Sequence, residues 1–361
     1  MIVAHAPLRL SFGGGGTDLP AYYDHHGGLV VSSAIGAAAH VRLEQHAGND
    51  VLIRSLDYRK STVVPAREHI TVAEPLSLPR AVLQWFEQTS RRPSGITITM
   101  HADVPPGSGL GSSSAMTVAL VSAISQHLRV PMRKHQIAEA ACEIEIDILG
   151  HPIGRQDQYA SALGGINMLT FSLGGVQAIP LNLPAGIERA LQDHLLLLST
   201  KRTRNSASVL QEQRTASRSD NDVIARLHRI KSLAMQMADA LQAGDIAGFG
   251  GLLDQSWQLK RKLATGVTSA DIDRWYALAQ ELGAYGGKIA GAGGGGFLLL
   301  CVPATSRSTV SQALQREGLR PLQVVFDHHG CRAGDEAVSH SRRGDRAWMQ
   351  ETQDAAVFTQ S

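Results

Sequence analysis

Charge of one sign, cysteine and long apolar runs are all scarce in this chain, and each shortage removes a class of function. Lys and Arg number 34 against 32 Asp and Glu, a net +2 with His neutral, so no global field calls for a nucleic acid or an anionic membrane. Cysteine is limited to Cys142, Cys301 and Cys331. Three, far apart, give neither a disulfide framework nor a paired metal motif. No stretch reaches 18 unbroken apolar residues, and the longest candidates, 27–41 and 291–302, are rich in glycine; a spanning helix is not expected. Met1–Phe12 lacks a basic lead followed by an apolar segment and a small-residue cleavage site. The pairs His25-His26 and His328-His329 lack the i, i+4 or cysteine-partnered spacing of a zinc site. No G-x-S-x-G elbow surrounds Ser112–Ser114, which argues against a hydrolase nucleophile. A cytoplasmic protein with neither nucleic-acid nor membrane partners is the expectation.

Glycine is abundant and unevenly placed. Twelve of the 36 glycines fall in three windows, 13–16, 107–111 and 291–296. Flexible linkers carry serine and polar residues around such runs, whereas these abut apolar segments such as Phe297–Leu300. Tight loops where the backbone approaches a ligand explain them better.

At 361 residues the chain has room for about two domains. Pattern and spacing predict strands over 2–12, 28–44, 51–55, 61–64 and 95–101, and helices over 78–89, 112–128 and 131–149. A hairpin follows, its strands at 164–171 and 176–179. The pattern changes near Pro184. Beyond it a strand at 194–200 precedes a largely helical stretch, 205–243, interrupted by polar residues at 217–222. Helices at 245–264 and 269–282, a glycine run leading into a strand within 288–302, a helix at 305–317 and a closing strand at 322–327 complete the pattern. Strands and helices do not alternate strictly, so the fold class is α+β. The expected division is 1–184, 185–338 and a polar tail, 339–361.

The most informative segment is Pro105-Pro106-Gly107-Ser108-Gly109-Leu110-Gly111-Ser112-Ser113-Ser114-Ala115, which leads directly into a predicted helix. Glycines let backbone amides converge, and a helix N-terminus adds unpaired N–H groups and a positive dipole end. That combination cradles phosphates, and a serine hydroxyl there can reach a metal ion or a phosphate oxygen. The Gly-Lys-[Ser/Thr] ending of a Walker loop is missing, and so is the spacing of a dinucleotide fingerprint.

With these residues the sequence resembles the GHMP kinase superfamily. The family's phosphate loop, a proline followed after a short spacer by Gly-Leu-Gly-Ser-Ser-[Ala/Ser], is matched by 106–114. An N-terminal motif is matched by Ala6-Pro-Leu-Arg-Leu-Ser-Phe-Gly-Gly-Gly-Gly-Thr-Asp18, and a third motif by Lys288-Ile-Ala-Gly-Ala-Gly-Gly-Gly-Gly-Phe297. The three stand in the family's order over about 290 residues. The first motif, with Gly154-Arg-Gln-Asp-Gln-Tyr-Ala-Ser-Ala-Leu-Gly-Gly165, is similar to the branch of D-glycero-D-manno-heptose 7-phosphate kinases and related fucokinases. Ser199-Thr-Lys-Arg-Thr-Arg-Asn-Ser-Ala207, where Lys201 replaces the usual glycine, and Trp257 with Lys260 also resemble that branch.

The resemblance implies a two-domain fold, ribosomal-protein-S5-like then ferredoxin-like, with the site between the domains and ATP and Mg2+ as cofactors. It implies that 106–114 bind ATP and that Asp157 accepts or orients the proton of the attacking hydroxyl. The alternative for Asp157 is a cap on a helix beginning near Gln158. Arg9 would keep Asp157 ionised and stabilise the developing alkoxide. Glu145 with Ser112 would ligate magnesium; Glu143 and Asp147 are close alternatives, and because residues two apart on a helix face differently at most one of the three enters the site. Gly14, Gly15, Gly16, Thr17 and Asp18 would hold the sugar, and Arg204, with Lys201 and Arg202 as lesser candidates, its phosphate. Lys288, Gly293 and Gly294 belong to the same substrate side, the third glycine run packing beside the phosphate loop. The implied activity is phosphorylation of the anomeric hydroxyl of a sugar phosphate, D-glycero-D-manno-heptose 7-phosphate, toward a nucleotide-activated heptose. A kinase of an unphosphorylated, fucose-type sugar and a non-catalytic ligand-sensing module are the alternatives.

Overall fold

The computed structural model describes residues 1–72, 74, 76–202 and 206–335, with backbone only for 206 and 207. The first part of the chain runs β1 (Ile2–Gly13), α1 (Pro20–His26), β2 (Gly28–Gln45), β3 (Val51–Ser55), β4 (Lys60–Val64), α2 (Ser77–Thr89), β5 (Ile96–Ala102) and α3 (Ser112–Leu128). It continues through α4 (Lys134–Cys142), a π-helical stretch (Glu143–Ile148), α5 (Gln156–Leu163), β6 (Ile166–Ser172) and β7 (Gly175–Pro180). The remainder is α6 (Ala185–His194), β8 (Leu195–Ser199), α7 (Ser206–Ser219), α8 (Asn221–Ala243), α9 (Ile246–Lys260), α10 (Ala270–Glu281) and β9 (Gly286–Ile289). β10 (Phe297–Cys301), α11 (Arg307–Arg316), β11 (Arg320–Leu322) and β12 (Arg332–Asp335) end it.

Two sheets result. The first has the order β12-β1-β2-β5-β3-β4, with β6 beside β2 and β7 beside β6. The long β2 pairs with β1 along most of its length and divides its other edge, residues 28–33 holding β6 and 39–45 holding β5. The second sheet, β11-β8-β10-β9, is antiparallel throughout. Its two central strands are apolar on both faces. Leu195, Leu197, Phe297, Leu299 and Cys301 join the core that includes the first sheet, α8 and α9. Leu196, Leu198, Leu298 and Leu300 pack with Trp275, Val310 and Leu314 on the opposite side. Side chains alternate across a strand, so an unbroken Leu195–Leu198 run fits a strand covered on both faces.

Helix signals placed most boundaries. α3 begins and ends at the expected residues. The break near 217–222 falls at Asp220, whose carboxylate accepts from the N–H groups of Asp222 and Val223 to cap α8. Three departures have physical reasons. The helix expected over 131–149 is α-helical only over Lys134–Cys142, then widens into π turns marked by the Leu149 N–H to Ile144 C=O bond of 3.0 Å; apolar spacing does not separate the two windings. The closing strand expected at 322–327 ends at Leu322, because the chain leaves the second sheet there, bridges Phe326 to Ile35 and returns as β12 on the edge of β1. The short helices α1 and α6 had too few turns to show a period. Among the described residues no helix is long and apolar enough to cross a membrane.

Candidate active site

The end of β1, the phosphate loop and the first turn of α5 converge on one cleft of about 310 Å³. Arg9, 4 % exposed, leaves β1 toward α5. Its Nε donates to Asp157 Oδ1 and its Nη2 to Asp157 Oδ2, both at 2.7 Å, while Nη1 donates to the Gly109 carbonyl at 2.7 Å. One guanidinium thus sets the plane of a carboxylate and anchors the phosphate loop to it, a geometry arginine's rigid fork provides and lysine does not. Asp157 lies in the first turn of α5 and not at its cap, which is Arg155.

In the phosphate loop Gly107, Gly109 and Gly111 all adopt left-handed φ, 75°, 78° and 75°, a conformation that favours glycine. The loop feeds α3 with no side-chain cap on its N-terminus, leaving the first-turn amides for an acceptor that the protein does not itself supply. Gly107, Gly109, Gly111, Ser112, Ser113 and Ser114 line the cleft. Pro106, Gly107, Ser112 and Ser113 also wall an adjoining cavity of about 340 Å³ under Tyr58, Leu76 and Pro79. Ser108 and Leu110 face inward. Ser108 Oγ accepts from the Leu110 N–H at 3.4 Å, and Leu110 is fully buried.

Glu145 is completely buried behind the serines. Ser113 Oγ donates to its Oε1 and Gln158 Nε2 to its Oε2, each at 2.7 Å. Burial pushes its carboxyl up to about 7 against the pull of the Ser114, Ser113 and Gln158 hydrogen bonds, and nearby Asp157 adds to the rise. The hydroxyl bonded to Glu145 is therefore Ser113's, one residue beyond Ser112, which lines the cleft. Glu143 is exposed and accepts from the Trp85 indole at 2.9 Å, and Asp147 is exposed as well. Among the described residues no three His, Cys, Asp or Glu side chains gather as a metal cage. A magnesium ion that draws most of its shell from phosphate oxygens and water needs only the hard oxygens present here.

The N-terminal glycine run divides its labour. Gly14 packs on the Leu29 carbonyl of β2, where a Cβ would lie 1.9 Å from the oxygen. Gly15, Gly16 and Asp18 line the cleft. Asp18 accepts from the Gly16 N–H and from Gln156 Nε2, each at 2.9 Å, and burial raises its carboxyl from the usual range. Thr17, expected on the sugar, is fully buried; its single hydroxyl proton is shared between the Gly14 and Leu29 carbonyls and its oxygen accepts from the Leu29 N–H, so it holds the loop. Lys288 is also redirected: its ammonium donates to the Ser11 and Phe12 carbonyls at 2.7 and 3.3 Å, tying β9 to β1 beneath the cleft. Gly293 and Gly294 pack on Val267 and not on the cleft. Arg204 lies outside the described residues. Lys201 has φ 54°, the left-handed conformation that accounts for the glycine usual at that place. Arg202 is committed to an ion pair with Asp271 and stacks over Trp275.

The third glycine run meets the phosphate loop backbone to backbone. A Cβ on Gly291 would lie 2.7 Å from Gly109 Cα, and one on Gly296 would lie 2.2 Å from the Ser108 carbonyl. Gly291→Ala, also strained at φ 68°, is expected to lower Tm and to weaken ATP binding by displacing the loop. Gly186→Ala, with open space around it in α6, should instead raise stability by about 0.5–1 kcal/mol. Thermal melts and nucleotide titrations of both variants provide the check.

Further cleft residues come from distant helices, and of them Lys260 alone was marked in the sequence, by the branch resemblance. Lys260, at the end of α9, is 7 % exposed and donates to the Gly291 carbonyl. Burial brings its ammonium down to about 8, with Arg9 adding to the effect and Asp18 and Asp157 opposing it. Gln213 and Leu210 reach in from α7.

Known proteins share this architecture. Residues 77–165 match the model of the GHMP kinases N-terminal domain and 237–319 that of the GHMP kinases C-terminal domain. The chain is 31 % identical over 334 residues to the D-glycero-alpha-D-manno-heptose 7-phosphate kinase of Campylobacter jejuni, covering 92 % of this chain and 98 % of that one. It is 27 % identical to the L-fucokinase/L-fucose-1-P guanylyltransferase of Bacteroides fragilis, covering 83 % of this chain and 34 % of that longer protein. The crystal structure of a D-glycero-D-manno-heptose 1-phosphate kinase from Bacteroides thetaiotaomicron superposes with a TM-score of 0.78 at 28 % identity, over 93 % of this chain and 99 % of that one. With both GHMP kinase domains matched in order and a relative 31 % identical over nearly the full length of both chains, the chain belongs to the GHMP kinase family.

Proposed function

We propose that this kinase transfers the terminal phosphoryl group of ATP to the anomeric hydroxyl of D-glycero-D-manno-heptose 7-phosphate, giving the 1,7-bisphosphate for a nucleotide-activated heptose. The observation that carries the reading is the bidentate Arg9–Asp157 pair beside the uncapped N-terminus of α3. Similarity to the Campylobacter kinase over nearly the full length of both chains supports the choice of sugar.

Phosphoryl transfer asks mainly for positioning and charge neutralisation. The adjoining cavity beyond Pro106 has room for the nucleoside, which lets the phosphates lie along 107–114. Glu145 and Ser112 would hold magnesium, which when bound neutralises phosphate charge. Asp157, oriented by Arg9, accepts the proton of the attacking hydroxyl at a carboxylate oxygen. Arg9 is committed to Asp157 and Gly109, and among the described residues that line the cleft Lys260 is the other cation. Arg204 is proposed to bind the phosphate already on the sugar.

ADP release measured with heptose 7-phosphate, heptose, fucose and galactose tests the reading. A charged hydrogen bond contributes about 1.5–3 kcal/mol, so heptose 7-phosphate should be preferred over heptose by about 10- to 150-fold, and Arg204→Ala should remove most of that preference. Equal use of heptose and its 7-phosphate would overturn the phosphate pocket and favour a free-sugar kinase like the fucokinases.

A further inference from the structure

The cleft holds more buried polarity than the transfer chemistry uses. Among the described residues, ten buried side-chain nitrogens and oxygens have no hydrogen-bond partner, and three of them, Ser11 Oγ, Gln156 Oε1 and Gln213 Nε2, belong to residues lining this one cleft. Leaving such an atom unsatisfied forfeits its solvation without return, so a group of them around one cavity points to a ligand that completes them. Ser11 is 4 % and Gln213 3 % exposed.

The groups converge. A methyl at Gly15 would have Ser11 Oγ, Lys260 Nζ and Gln156 Nε2 as its nearest neighbours, at 3.7, 3.8 and 3.9 Å. Gln213 Nε2 stands over Gly16, 2.1 Å from where a Cβ would be. A hydroxyl, an ammonium and the side-chain amides of Gln156 and Gln213, the first of them with an unpartnered oxygen, thus gather over Gly15 and Gly16. That mixture of donors and acceptors suits neither an apolar group nor a second phosphate. It suits vicinal ring hydroxyls, each of which donates one hydrogen bond and accepts others.

We propose that Ser11, Gln156, Lys260 and Gln213 form a hydroxyl-reading subsite over Gly15 and Gly16, and that Gln213 determines which sugar is accepted. The inference rests on the reading of this chain as a sugar kinase and assigns the residues that select the sugar. Gln156 Nε2 is held by Asp18 and the Lys260 ammonium by Gly291, and the Ser11 hydroxyl can rotate. The Gln213 amide nitrogen is the donor of the set that is both uncommitted and fixed in direction. A site built to bond a hydroxyl rejects an analogue that lacks it far more strongly than an apolar pocket rejects a change of size. Two of the four residues lie on α7 and α9, so sugar selection depends on the second half of the chain.

Two variants of the full-length protein test the subsite, Gln213→Leu and Gly15→Ala. Gly15 is outside the left-handed region and its prospective neighbours are at ordinary contact distance, so Gly15→Ala keeps the fold while placing a methyl among the polar groups. With heptose 7-phosphate, Gln213→Leu and Gly15→Ala should raise the sugar KM by about 10- to 150-fold, with Tm and the KM for ATP unchanged. Across monodeoxy analogues, Gln213→Leu should lose nothing further on the one analogue that lacks the hydroxyl it reads. A wild-type sugar KM and unaltered deoxy selectivity in folded Gln213→Leu and Gly15→Ala would overturn the subsite alone. Failure of the wild type to phosphorylate any sugar in the panel would overturn the sugar-kinase reading, and the subsite with it.

Discussion

Asp157→Asn is expected to lower kcat by about 10²–10⁴-fold, the range for loss of a positioned general base, while ATP still binds. The amide keeps the shape of the side chain but cannot take a proton, and it turns one hydrogen-bond acceptor of the Arg9 fork into a donor. The phosphate loop stays anchored, because Arg9 Nη1 holds the Gly109 carbonyl independently of Asp157. Single-turnover ADP release separates the chemical step from binding, and a nucleotide titration checks the loop. A folded Asp157→Asn protein that retained most of the wild-type rate constant would remove Asp157 from the proton transfer.

Glu145→Gln should move activity and stability in opposite directions. The neutral amide loses the charge that a magnesium ion would meet, and a fall in kcat on the order of 10²–10³-fold is expected, the scale found when a preorganised electrostatic group is removed. Glu143→Gln, on the exposed side against Trp85, should leave the magnesium dependence nearly as it was. Stability follows from the raised carboxyl. A group whose folded pKa lies above its unfolded one favours the fold below the unfolded value, near 4.5, and loses that advantage as pH climbs through the folded value of about 7. Above about pH 8 the buried carboxylate therefore costs the ligand-free protein about 3 kcal/mol relative to acid conditions. The amide of Glu145→Gln carries no such charge, so the variant should melt above the wild type at pH 8.5 and close to it at pH 5. Equal Tm differences at both pH values would show that Glu145 carries no burial cost. Equal magnesium titrations of the two glutamate variants would take Glu145 out of the metal site.

Much of the fold was legible because its signals are local. The alternation at 95–101, the small and β-branched residues of β2, the serine start of α3 and the polar break at 217–222 each act within a few residues, where backbone sterics and hydrogen bonding decide the conformation. The glycine windows were legible for the same reason. Left-handed φ at 107, 109 and 111 and the close approach of Gly291 to Gly109 exclude a side chain, and that exclusion is written in composition. Where a position had two local solutions, the pattern was silent: α-helical and π turns after Cys142 carry the same apolar spacing, and one buried helix in place of two windings was the natural expectation.

The sequence by itself determined the family, the phosphate loop and the residues at which chemistry is expected, because Arg9, Asp157, Glu145 and the glycines sit in motifs whose spacing survives without coordinates. Only the tertiary structure decided what each of them faces. Thr17 and Lys288 lie in the same motifs, yet their polar groups are taken by backbone carbonyls of β1 and β2. Gln213 and Lys260 enter the cleft from helices some 200 and 250 residues beyond Ser11. The physical reason is one of range. A turn or a cap is fixed by neighbours in the chain, whereas the partner of a buried polar group is fixed by whichever distant element packs against it, and no periodicity within that group's own segment records the choice.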